Sequence, residues 1–144
     1  MYEPVINYWA VLVSAVVFFA IGSLWYGPLF GNAWMKSIGW TKESLESDGY
    51  QPNMVKSFGI MFLGSLLMAF ITAHMVDFML QVYPEMSGLM VGLNAGFWLW
   101  LGYIFSYLLS APAFENKPWA YVFINGGYWL VGILATGAIV GVWR

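Results

Sequence analysis

The chain has 144 residues, 61% of them hydrophobic and only 8% charged, with a formal net charge of −2 and no cysteine. Ordinary soluble domains carry about 25% charged residues, so the composition is that of a membrane protein. The small acidic balance and the lack of a basic patch exclude nucleic acid as a partner, and the lack of cysteine excludes disulfides, thiolate metal sites and thiol nucleophiles.

Four apolar segments approach or exceed the roughly 20 residues that a helix needs to cross a bilayer. The first runs from Ile6 to Tyr26, with Pro4 tolerable in its opening turn. The first lysine is Lys36, and the apolar run is too long for a signal core, so this segment is expected to be retained. It ends in Gly22–Trp34, where Pro28 disfavours the helical region for Gly27 and so predicts a stop. Trp25, Tyr26 and Trp34 flank that stop as an interfacial aromatic belt.

The next loop holds two candidate surface helices, Trp34–Ile38 and Thr41–Ser47, with Gly39 between them. Trp34, Trp40 and Leu45 would rest on headgroups while Lys42, Glu43, Glu46 and Asp48 face water. We read it as a connector lying on the membrane, ahead of a partner-docking loop.

The second segment runs from Val55 to Leu80, preceded by Pro52 and by Asn53 as its cap. Tyr83-Pro84 makes a short turn. The third runs from Gly88 to Ser110 and stops before Pro112. The fourth runs from Trp119 to Trp143, with Pro118 in its first turn. Backbone groups cannot stay unpaired in hydrocarbon, so these are helices, and the alternating short segments of a barrel are absent. The expected fold is all-α: a polytopic membrane protein with four transmembrane helices in a compact bundle, one domain over residues 1–144. Lys36, Lys42, Lys56 and Lys117 fall in the first and third loops and only Arg144 on the opposite side. This predicts both termini outside, in a bacterial inner (cytoplasmic) membrane.

Pro28-Leu-Phe30-Gly-Asn32-Ala-Trp34 is echoed by Pro112-Ala-Phe114-Glu-Asn116-Lys-Pro-Trp119, with one residue inserted. Two hairpins repeated about an axis along the membrane normal would explain the echo. Pro28 and Pro112 would then lie at similar depth, with Phe30 and Phe114 each packed beneath the next helix.

Leu24-Trp25-Tyr26-Gly27-Pro28-Leu-Phe30-Gly31, with Trp34, resembles the signature of a family of small integral membrane proteins, the domain of unknown function numbered seventeen sixty-one. Phe114-Glu115 and Asn125-Gly-Gly127-Tyr128 are similar to its second signature. The resemblance covers essentially the whole chain and implies the four-helix fold, with no reaction, substrate or cofactor.

Ionisable groups inside a membrane are costly and are the first candidates for function. His74 and Asp77 stand three apart on one helix face, placed to relay a proton, bind a cation or form an ion pair half in water; the ion pair is the plainer reading. Asn94 and Asn7 fall at the same outer level and could complete a polar pocket, though Asn7 also suits a helix cap and Asn94 an interhelical hydrogen bond. Asn125, Glu115 and Lys56 could meet at the inner mouth between the hairpins, with solvated Glu115 and Lys117 as the simpler picture. Met54, Met61, Met68 and Met75 recur every seven residues, a spacing that suits packing better than a copper path. Trp98, Trp100, Tyr103, Tyr128 and Trp129 are expected to form an aromatic core rather than to enclose a quinone or lipid. Small residues form ridges at Gly88, Gly92 and Gly96, at Ser65, Ala69 and Ala73, and at Gly137 and Gly141, serving contact within the bundle or between copies.

With no catalytic or metal site expected and no cofactor indicated, the sequence points to a non-enzymatic structural or accessory membrane subunit. Its partners would be membrane lipids and itself or a larger membrane assembly. The alternative is a binder or transporter of a small apolar or weakly polar molecule, or of a lipid, at the interface of the two hairpins.

Overall fold

The computed structural model describes residues 3–47 and 53–144. Pro52, Asp48 and the side chains of Lys42, Leu45 and Glu46, of which headgroup or water contacts were expected, lie outside the described residues. The described chain folds into six helical elements: α1 (Tyr8–Leu29), α2 (Gly31–Ser37), α3 (Lys42–Ser47), α4 (Met54–Val82), α5 (Gly88–Phe114) and α6 (Trp119–Val142). α1, α4, α5 and α6 are long and apolar enough to cross a membrane, and no strand occurs among the described residues.

Side-chain oxygens hold the helix starts where the free backbone N–H groups need them. Asn7 Oδ1 accepts from the N–H groups of Trp9 (3.0 Å) and Ala10 (3.2 Å), Asn53 Oδ1 from Lys56 (3.0 Å) and Ser87 Oγ from Met90 (3.3 Å). At α3, Thr41 Oγ1 accepts from the Ser44 N–H while Ser44 Oγ accepts from the Thr41 N–H, a reciprocal capping box with serine in the place of glutamate. The two surface helices therefore form within a residue or a few of where the sequence put them.

α1 and α5 are both irregular, and both irregularities begin at a tryptophan. Trp25–Leu29 and Trp100–Phe105 are wide, π-helical turns. In α1 the helix breaks inside that turn at Gly27 (φ −94°, ψ −107°), where the chain bends ahead of Pro28 and then enters α2. α5 differs from expectation because it does not stop before Pro112. After a break at Leu109 it resumes as Ser110–Phe114, and Pro112 sits in the first turn of that resumption, where no backbone N–H is required.

The proline echo fails in detail. Phe30 packs on Trp25 with ring centroids 4.6 Å apart, whereas Phe114 is 90% exposed. Pro28 follows Trp25 by three residues and Pro112 follows Trp100 by twelve. The features that recur between the odd-numbered spans are the tryptophan-led wide turns.

α6 is the central helix. It packs against α5, α1 and α4, while α4 also packs against α1 and α5. Small side chains set the spacing. A Cβ on Gly92 would collide with the Gly137 carbonyl and one on Gly88 with the Gly141 carbonyl, and the converse holds from Gly137 and Gly141. The glycine ridge of α5 is thus spent on α6 within one copy, backbone on backbone, where lipid supplies no hydrophobic drive and close approach supplies the attraction. On α4, Ser65, Ala69 and Ala73 are buried in the same manner. Large apolar residues such as Leu63, Leu67 and Trp98 point outward, more than 60% exposed, as expected of a surface solvated by acyl chains.

Candidate functional site

The polar groups gather at two ends. At the end carrying the termini, Asp77 is 5% exposed and one of its carboxylate oxygens lies 3.5 Å from Arg144 Nη2, while the other accepts from the Val5 N–H at 3.3 Å. Asn7 lines the same cavity, whose volume of about 10 Å3 holds no more than a water molecule. His74 turns away from this group. Its Nδ1 bonds the Phe70 carbonyl at 2.9 Å, which places a proton on that nitrogen, and its ring packs tilted, at 53°, against Phe70 with centroids 4.3 Å apart. The spacing of His74 and Asp77 therefore does not produce a relay. Asp77 finds its opposite charge in the C-terminal residue, an ion pair that is buried on one side and half exposed on the other. Asn94 does not join either: it faces outward from α5, and among the described residues its Nδ2 donates only to Met90 O in its own helix (2.9 Å). The expected outer pocket of four residues reduces to Asn7, Asp77 and Arg144.

At the opposite end, the two signature segments meet. Trp25 donates its indole N–H to the Ile124 carbonyl (3.0 Å), Tyr26 donates its hydroxyl to Asn125 Oδ1 (2.7 Å), and Trp100 donates its indole N–H to the Gly126 carbonyl (2.8 Å). Three consecutive residues of α6 are thus held by α1 from one side and α5 from the other. Asn125 is oriented for this by its Nδ2, which donates to Tyr121 O at 2.7 Å. The glycines beside it make room. A Cβ on Gly127 would stand 3.0 Å from Trp25 Cζ2, and one on Gly22 would stand 3.0 Å from Tyr128 Oη. Tyr128 closes the junction, with its ring 4.9 Å from Phe18 and 5.1 Å from Tyr26, while Trp34 of α2 packs edge-on to Tyr26 at 5.5 Å.

Glu115 and Lys56 do not gather round Asn125. Both are exposed, and among the described residues neither makes an ion pair; Glu115 is solvated as the simpler picture has it, while Lys117 is half-buried. The methionine stripe is not core packing. Met54 and Met61 line one outward groove and Met68 and Met75 another. Among the described residues no three His, Cys, Asp or Glu side chains gather as a metal would need. Of the rings expected in an aromatic core, Tyr128 is buried, Trp100 and Trp129 are half-buried, and Trp98 and Tyr103 face outward.

The sequence reading took Trp25 as an interfacial ring and Trp100 as core, and missed that both are hydrogen-bond donors to one turn of α6. Paired glycines between an asparagine and a tyrosine, inside an otherwise apolar helix, were the available signal of a close approach. Over residues 9–141 the chain matches the model of a family described as Protein of unknown function (DUF1761), and it belongs to that family. No curated protein and no solved structure matches it.

Proposed function

We propose that this member of the family is a non-enzymatic structural or accessory subunit of a bacterial inner membrane, joined to itself or to a larger assembly through the outward face of α5. Asn94 carries this reading. It lies six residues into α5, about 9 Å below the helix start, exposed on the lipid side, and among the described residues its Oδ1 has no partner. A carboxamide half-satisfied in hydrocarbon favours a neighbouring helix that completes it. Native mass spectrometry from lipid discs is expected to show a discrete oligomer or a stable complex for the wild type and its loss in Asn94→Leu. A monomer in both would contradict the reading.

The orientation proposed with it puts both termini outside and the 31–53 loop in the cytoplasm, on the strength of four lysines against one arginine. Cysteine at Ser87 is expected to react with an impermeant thiol reagent on intact cells and cysteine at Ser47 to be protected. The reverse pattern would invert the topology. A second reading, binding of a small apolar molecule or lipid, is favoured by a groove between the α1–α4 hairpin and α6.

A further inference from the structure

We propose that this groove takes the head ring of an isoprenoid quinone, with the Tyr128 hydroxyl donating to a ring carbonyl. The inference deepens the small-molecule or lipid-binding reading and rests on it. The groove has a volume of about 420 Å3 and opens outward between α1, α4 and α6. Its walls include Phe19, Gly22, Phe58, Met61 and Tyr128.

Tyr128 supplies the chemical argument. It is 3% exposed, and among the described residues its hydroxyl has no hydrogen-bond partner. The hydroxyl lies over Gly22, another wall of the groove, because a Cβ there would stand 3.0 Å from it. No water in the hydrocarbon region can complete a buried phenol, and an unmade hydrogen bond is costly. Ser14 Oγ is likewise unpartnered, but it is sealed inside the bundle, where nothing can reach it. Tyr128 borders a space that a ligand can enter.

The rest of the groove selects the ligand. Phe19 and Phe58 meet edge to face at 5.7 Å, and Met54 and Met61 place thioethers beside them, a wall that suits a flat π-system. Gly22 lies five residues before the bend at Gly27, about 7.5 Å along the helix from it. A phospholipid carries its ester carbonyls on the polar side of its acyl chains, whereas a quinone carries its carbonyls on an apolar ring that can enter the groove whole. The outward opening leaves the prenyl tail in the bilayer. No electron transfer is implied.

The test is a titration of ubiquinone and menaquinone into phospholipid discs carrying the full chain, read by quenching of tryptophan fluorescence. Saturable quenching is expected. Tyr128→Phe keeps the ring and breaks no hydrogen bond within the protein, so it folds, and it is expected to weaken binding about five-fold, the worth of one neutral hydrogen bond. Thr72→Val, in the other groove, is expected to leave binding unchanged. Equal, unsaturable quenching in wild type and Tyr128→Phe would overturn the quinone. Mass spectrometry of the same discs then separates the two levels: retained phospholipid would leave the binding reading standing without the quinone, and no retained apolar molecule would remove both.

Discussion

Gly92→Leu is expected to force α5 off α6 and to lower the melting temperature sharply in detergent. The Cβ alone would overlap the Gly137 carbonyl, and Gly137 presses back on Gly92 in the same way. Overpacking of soluble cores costs about 1–3 kcal/mol when side chains can move aside. Here the obstacle is backbone, so the cost is expected at the upper end of that range or above it. The seam is long, and relief at Gly92 would also open the contact of Gly88 with Gly141. Gly59 provides the control: a Cβ there meets nothing within 4 Å. Gly59→Leu is expected to hold or raise stability, because glycine is about 1 kcal/mol worse than a good helix former. An unchanged melting temperature in Gly92→Leu would place this ridge against lipid and contradict the bundle.

Trp25→Ala is expected to be the other severe variant. The indole donates to Ile124 O, packs against Phe30 and occupies the space left by Gly127. Truncating a packed tryptophan to alanine costs about 3–5 kcal/mol in protein cores. The Ile124 carbonyl remains within α6, so the lost N–H accounts for only a small part, and packing for most. Trp25→Phe is therefore expected to fall between wild type and Trp25→Ala in thermal unfolding. Because Trp25 begins the wide turn that leads into α2, proteolysis of the 31–53 loop is expected to quicken in Trp25→Ala. Wild-type stability in Trp25→Ala would show that the ring lies free at the interface.

The spans were legible because hydrocarbon leaves the backbone no option but helices, and the caps Asn7 and Asn53 could be read from residue type alone. The glycine ridges were legible as contacts, but the sequence could not assign their partner, since Gly88–Gly96 would fit a second copy as well as α6. Pro112 reads as a stop for α5, but in the first turn of the resumed helix it costs nothing, and α5 runs on to Phe114. The site was harder. His74 and Asp77 share a face by spacing, but spacing says nothing of Phe70 above the histidine or of Arg144 returning from the far end of the chain. Trp25 and Trp100 stand 75 residues apart and serve one turn of α6, a relation carried by the packing of α1 and α5 and by no local pattern.

The two signature segments form one packed junction, with the Trp25 indole seated on Gly127. Gly127→Ala measured in two backgrounds tests it most directly, by thermal unfolding in the same detergent. With Trp25 present, the added Cβ would stand 3.0 Å from the indole and is expected to destabilise the protein. In Trp25→Ala the obstruction is gone, and the substitution is expected to stabilise by up to about 1 kcal/mol through helix propensity. The predicted result is a reversal of sign between the two backgrounds. The same effect in both would show that the indole does not rest on Gly127, and would contradict the junction.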